Sequence, residues 1–161
     1  MPTPAAEYPS VVAEETAHAF VPSYFGAVDL GHKSRNACFV RVAEQISRHP
    51  GGTLPDKLSH PNDYVAMDRL MNRPETTHAR VLTPHFQRTL EKMAAHRGVV
   101  LILHDTTVLD YSKRKSLRLA AVGNGHGNGY LCHNSLAVDP ASRDVFGLLS
   151  QILHQRVAVG R

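Results

Sequence analysis

The sequence predicts an α+β fold in which helices come first and a three-stranded antiparallel meander follows. Up to about residue 96, apolar residues recur at the spacing of helices. A continuous apolar run, Val99 to Leu103, then follows Gly98 and is typical of a strand that is buried on both faces. The last two apolar segments are separated only by a turn at residues 139–142, and so short a connection implies an antiparallel hairpin.

Four helices are predicted in the first part of the chain. The first, between Glu14 and Tyr24, is expected to be interrupted at Pro22, because proline lacks the backbone N–H that a helix uses. The second covers residues 33–48 and ends before a helix-stopping Pro-Gly-Gly run. The third covers residues 62–71, and the fourth runs from about residue 76 to residue 96.

Two of these helices carry an apolar stripe that we expect to be buried. On the second helix the stripe recurs every three residues and comprises Ala37, Val40, Ala43 and Ile46. On the fourth helix it comprises Val81, Leu82, Phe86, Leu90 and Met93. Arg41 and Arg48 share a different face of the second helix.

Three strands are expected after the helices, near residues 99–110, 130–138 and 145–154. Residues 112–129, between the first two strands, are polar, basic and rich in glycine, and they predict a loop. The glycine-rich part of this loop precedes a strand and not a helix, which argues against a phosphate-binding P-loop.

Composition favours a folded protein. The chain has 161 residues, of which 42% are hydrophobic and 20% charged, so a packed core is possible and only residues 1–10 are expected to be disordered. No apolar run approaches the ~20 residues that cross a bilayer, and the N-terminus does not resemble a secretion signal. A cytoplasmic protein with no membrane partner is therefore expected. Cys38 and Cys132 match no zinc spacing, which favours two reduced thiols.

One carboxylate is a candidate for metal chemistry. Asp105 comes directly after the apolar run, so it is expected at the end of a central strand, where ligands can reach it. Mg²⁺ prefers oxygen donors, and two such ions can activate water and stabilise the leaving oxygen in phosphodiester cleavage. The alternative is that Asp105 only caps a turn with Thr106 and Thr107.

Positive charge suggests a polyanionic partner without establishing one. The net charge is +4, and four basic residues fall within six positions of residues 113–118. The second helix also has a basic side, which is formed by Lys33, Arg35, Arg41 and Arg48. Either segment could contact phosphates or could simply be solvated. The histidines lack the i, i+4 pairing of a helical zinc site.

Five segments, taken in order, resemble the N-terminal part of the bacterial DDE transposases of the insertion-sequence-four group. These are cut-and-paste enzymes with an RNase H-like core. The segments are FGAVDLGHKSR, RHPGG, RLMNRPETTHARVLTPHFQRT, LILHDTTVLDYS, and GNGHGNGYLCHNSLAVDP with the GLLSQILHQR that follows it, and they extend over roughly residues 20 to 156.

The resemblance implies roles for particular residues. Asp105 corresponds to the catalytic Asp that is the first of three acidic ligands for Mg²⁺. Lys33 and Arg35 are candidates to contact the transposon end, and Arg69 matches the arginine of the family's Tyr-Arg-Leu signature. With Arg48 these are the predicted DNA-binding residues. Two departures would weaken DNA contact: Asp68 stands where the family commonly has Tyr, and Cys38 where relatives often have Arg.

The resemblance also implies that the catalytic site is incomplete. The family needs a second Asp and a Glu downstream of the third strand, and this chain is expected to be truncated before them. Asp139 is no substitute, because antiparallel strands should place it and Asp105 at opposite ends of the sheet, on the order of 20 Å apart. The expected domains are residues 11–75, which bind DNA, and residues 76–161, a fragment of the RNase H-like core.

The expected function is to bind double-stranded DNA at transposon ends without cleaving it alone. Two alternatives remain open: a metal-dependent nuclease that a second chain completes, and a non-functional relic. A homo-oligomer or a complex with a full-length transposase is a possible assembly.

Overall fold

The structure is a computed structural model that describes residues 14–49, 51–58, 60–123 and 127–155. The expectation of disorder at residues 1–10 lies outside the described residues. The chain divides into two compact units, of which the first ends at Pro84 and the second begins at His85. As predicted, the fold is α+β, with helices first and an antiparallel sheet second.

The first unit is helical. Its elements are α1 (Glu14–Phe25), α2 (Lys33–Arg48), α3 (Leu54–Lys57), α4 (Pro61–Met71) and the first part of α5 (His78–Ala95). The four predicted helices are present within two residues of their expected bounds, and the short α3 was not predicted. No helix in the described part of the chain is both long enough and apolar enough to cross a membrane.

The expected interruption of α1 at Pro22 is wrong, because the helix continues through the proline. Val21 is completely buried and Tyr24 is also buried, so the residues around Pro22 are held by tertiary packing. Phe25, at the end of the helix, makes an edge contact with Phe39, with ring centroids 6.0 Å apart. Burial of these side chains offsets the missing hydrogen bond.

The predicted stripe on α2 is wrong at one end. Ala37 is exposed, whereas Phe39 and Val42 are the buried residues of the helix. The reason is that an α-helix turns about 100° per residue, so Ala37 and Ile46 point in nearly opposite directions. Each of these two buried residues belongs to a separate apolar cluster. Phe39 packs with Val28, Leu30 and Leu70. Val42 packs with Leu58 and Met67.

A buried carboxylate joins α2 to α4. Asp63 is only 7% exposed, and its two oxygens lie 2.8 Å from the guanidinium of Arg41 and 2.8 Å from the side-chain amide of Gln45. Arg41, which sequence analysis placed on a basic solvent-facing side of the helix, is therefore engaged within the unit. Buried charge requires such partners.

The second unit is built on an antiparallel sheet of four strands: β1 (Leu101–Asp110), β2 (Ala121–Val122), β3 (Gly127–Val138) and β4 (Val145–His154). β1 and β4 both pair with residues 131–138 of β3, so β3 is central, and β2 pairs with its first two residues. The predicted meander of three long strands is confirmed. The expected loop at residues 112–129 is wrong at its end, where β2 and the start of β3 form a hairpin.

The first strand is exposed, although a strand buried on both faces was expected. Leu103 is 50% exposed, and every residue from Leu101 to Val108 is exposed. β1 is an edge strand. Among the described residues β3 is the only strand that is hydrogen-bonded to it, although it also lies near the two-residue strand β2. The apolar run was therefore a correct sign of a strand but not of burial.

The second part of α5 contacts β4 through polar groups. The backbone N–H of Leu148 donates a 2.9 Å hydrogen bond to Nε2 of His85, and Thr89 is completely buried. Burial, together with the nearby charge of Lys92, lowers the pKa of His85, which keeps Nε2 able to accept. Leu90, assigned by sequence to the apolar side of this helix, is instead 55% exposed.

Candidate nucleic-acid interface

A groove between α2 and α4 brings three arginines together. The groove encloses about 230 Å³ and is lined by Ser34, Arg35, Cys38, Ala66, Arg69, Leu70 and Arg73. Arg69 lies in the last turn of α4, and Arg73 follows two residues after the helix ends at Met71. The structure therefore places Arg35 and Arg69, which are 34 positions apart in the sequence, in one site.

The charges of the groove are only partly neutralised. Arg35 forms an ion pair with Glu75, with 2.9 Å between its guanidinium nitrogen and the carboxylate oxygen. The adjacent Arg35 guanidinium, with the charge of Arg73, lowers the pKa of Glu75. Arg69 and Arg73 form no ion pair with any carboxylate in the described part of the chain. The groove therefore has two arginines available to an anion and a third that is held in position.

The other two predicted DNA-binding residues lie elsewhere. Lys33 is exposed at the start of α2, about 200° around the helix from Arg35, and does not line the groove. Arg48 lies 13 residues beyond Arg35, which is about 20 Å along the helix. Its Nε is buried with no hydrogen-bond partner among the described residues. Neither residue belongs to the arginine cluster.

Arg73 was not among the residues that the sequence predicted to bind DNA. The signal was present in the RLMNR segment, which places a second arginine four residues after Arg69, just beyond the end of α4. Of the two departures from the family pattern, Cys38 does line the groove, whereas Asp68 does not. Asp68 instead accepts hydrogen bonds from the side chain of Asn72. Both cysteines, Cys38 and Cys132, are free thiols.

Asp105 lies in the middle of β1 and not at its end. Its side chain is exposed, and Oδ2 accepts a 3.1 Å hydrogen bond from the hydroxyl of Thr107. Asp105 is paired with Asn134 of β3, five residues before Asp139, so the two carboxylates are about 17 Å apart along the sheet. The expectation that they lie at opposite ends of the sheet is therefore wrong. They are nevertheless too far apart to share a metal ion.

The residues around Asp105 do not fit a magnesium centre. Its cross-strand neighbours are amides: the side chain of Gln151 donates a 2.8 Å hydrogen bond to that of Asn134. Over the described residues no group of three or more His, Cys, Asp or Glu side chains could hold a metal ion. A single carboxylate does not make a two-metal site.

Two histidines meet across the strands, which their positions in the sequence did not reveal. The rings of His104 and His133 are stacked, with centroids 5.5 Å apart. A nitrogen of His104 lies 2.9 Å from the hydroxyl of Ser135, and one of His133 lies 2.8 Å from that of Thr106. The register of β1 with β3 brings the two rings together, and each ring has a hydroxyl of the opposite strand as its hydrogen-bond partner.

No protein-family model matches this chain, and no curated protein matches it significantly. What the fold and the site define is an α+β protein whose helical unit carries an arginine-lined groove. The resemblance to the DDE transposases rests on the sequence segments alone.

Proposed function

We propose that the helical unit binds double-stranded DNA at transposon ends. The observation that carries this proposal is the convergence of Arg35, Arg69 and Arg73 in one groove. The sequence resemblance nominated two of these arginines from separate segments, and their proximity supports it. Guanidinium groups suit phosphate, because their planar donors can bind two of its oxygens at once.

The size of the groove suits contact with the DNA backbone better than contact with the bases of a duplex. A volume of about 230 Å³ can accept a phosphate group but not the width of a duplex. The ion pair with Glu75 holds Arg35 at one side of the groove, while Arg69 and Arg73 lack carboxylate partners in the part of the chain that the structure describes. Binding through these arginines should release counterions and weaken as salt rises.

The proposal is tested by measuring fluorescence anisotropy of a labelled 30-base-pair duplex with the full chain at several salt concentrations. Replacing Arg35 and Arg69 together by Ala should weaken binding and reduce the slope of log K against log salt by about 1 per lost phosphate contact. The Arg88→Ala/Arg97→Ala variant removes the same charge elsewhere and should retain most of the slope. Equal slopes for the two variants would exclude the groove as the DNA-binding site. A comparison of duplexes with and without the transposon end tests whether binding prefers that end.

We further propose that the chain alone does not cut DNA. Asp105 is exposed, but amides and not carboxylates lie beside it on β3 and β4. Supercoiled plasmid incubated with the purified chain and Mg²⁺ should stay supercoiled. Nicking that EDTA abolishes, and that the Asp105→Ala variant lacks, would overturn this proposal and favour the metal-dependent nuclease.

A further inference from the structure

The second unit carries a concentrated positive charge on the loop after β1. This basic loop, residues 111–118, contains Lys113, Arg114, Lys115 and Arg118 and no acidic residue. Four of the chain's 18 lysines and arginines lie here, which leaves 14 against its 14 acidic residues. The whole net charge of +4 is therefore equal to the charge of this loop.

Hydrogen bonds hold the base of the basic loop against the sheet. The backbone N–H of Tyr111 donates to the carbonyl of Asn128 at 2.8 Å, and the N–H of Asn128 donates to the Ser112 hydroxyl at 2.8 Å. The Ser112 hydroxyl in turn donates to Asp110. Turn bonds connect Arg114 to Tyr111 and Leu117 to Arg114. The loop therefore presents its charges from a fixed base.

The cations of the basic loop are available to a partner. All four are exposed, and none forms an ion pair with a carboxylate among the residues that the structure describes. Asp110, the acidic residue at the base, accepts hydrogen bonds from the backbone N–H and the hydroxyl of Ser112. A cavity of about 390 Å³ is lined by residues Asp110, Tyr111, Ser112, Lys113 and Arg114. Tyr111 is 41% exposed and packs edge-on against Tyr130.

We propose that the basic loop is a second binding surface for the phosphate backbone of double-stranded DNA, distinct from the arginine groove. Closely spaced cations on a fixed base suit a chain of phosphates. A membrane surface is disfavoured, because Leu117 is the loop's single aliphatic side chain and stable anchoring needs more buried apolar area. The choice of DNA as the polyanion rests on the proposed function. The contact itself should be independent of sequence, since phosphates carry no base information.

The test is salt-dependent anisotropy with the full chain and an arbitrary 30-base-pair duplex. The Lys113→Gln/Lys115→Gln variant should bind about tenfold more weakly and lose about 2 units of the slope of log K against log salt. The Lys113→Arg/Lys115→Arg variant keeps the charge and should keep the slope. The Lys57→Gln/Arg97→Gln variant, which loses the same charge elsewhere, should lose much less. Far-UV circular dichroism checks that every variant is folded.

The outcomes separate this inference from the proposed function. A slope in the Lys113→Gln/Lys115→Gln variant that equals that of the Lys57→Gln/Arg97→Gln variant overturns the role of the basic loop, even if the groove variant binds weakly. If only the loop variant loses slope, the result supports DNA binding by the basic loop and overturns DNA binding by the arginine groove. Vesicles containing phosphatidylserine provide the third comparison: loop-dependent binding to them and not to the duplex would overturn the assignment to DNA.

Discussion

Asp63 illustrates how the energetic weight of a single residue depends on its neighbours. In the sequence it is one acidic residue in the first turn of a helix, where its charge suits the helix dipole. In the structure it is buried and accepts from Arg41 and Gln45 of another helix. Removing the carboxylate would leave both donors without their acceptor.

We therefore predict that the Asp63→Ala variant lowers the free energy of unfolding by about 1–2 kcal/mol, because Gln45 loses its acceptor while Arg41, whose side chain is 54% exposed, can be solvated by water. Urea denaturation followed by circular dichroism measures it. Asp68→Ala, at an exposed position of the same helix, is the matched control and should change stability by less than about 0.5 kcal/mol. Equal effects from the two variants would mean that the contacts of Asp63 with Arg41 and Gln45 do not stabilise the unit.

At the scale of elements, α1 shows local propensity and packing in conflict. Proline inside a helix removes one hydrogen bond and crowds the carbonyl four residues earlier. The helix nevertheless runs from Glu14 to Phe25, because Val21 and Tyr24 are buried on either side of Pro22. Pro61 presents the opposite case, since it lies at the first turn of α4, where proline is well tolerated.

These two prolines give a matched comparison. The Pro22→Ala variant should raise the free energy of unfolding by about 1–2 kcal/mol, because it restores a helical hydrogen bond. The Pro61→Ala variant should leave stability unchanged or lower it slightly, through a more flexible unfolded state. Urea denaturation of both variants tests this. A destabilised Pro22→Ala variant would show that α1 depends on the proline.

At the scale of the whole molecule, the sheet has exposed apolar residues on two strands, β1 and β4, which lie on opposite sides of β3. Leu101, Leu103 and Val108 on β1 are all exposed, as are Ile152 and Leu153 on β4. A long edge strand with apolar side chains is a template for pairing with another chain. A homo-oligomer was a possible assembly from the sequence, and the exposed strand β1 is the element that we expect to take part in it.

We predict that the purified chain self-associates at micromolar concentration and that Leu103→Lys shifts it toward monomer, because a charge on an edge strand opposes pairing. Sedimentation velocity measures the distribution. Leu90→Lys, at a similarly exposed position on α5, should leave it unchanged. A wild-type chain that sediments as a monomer would contradict the prediction.

The sequence by itself determined the order and type of the four long helices and the three long strands, because helix periodicity, strand runs and turn residues are local; the short α3 and β2 were not predicted. It also nominated Arg35 and Arg69, through a resemblance in separate segments. Only the tertiary structure decided that Arg73 joins them while Arg48 does not, that Asp105 is mid-strand beside amides, and that β1 is exposed. These outcomes depend on which surfaces meet: helix packing sets the groove, strand register sets the neighbours of Asp105, and burial of an apolar run requires a second layer to cover it.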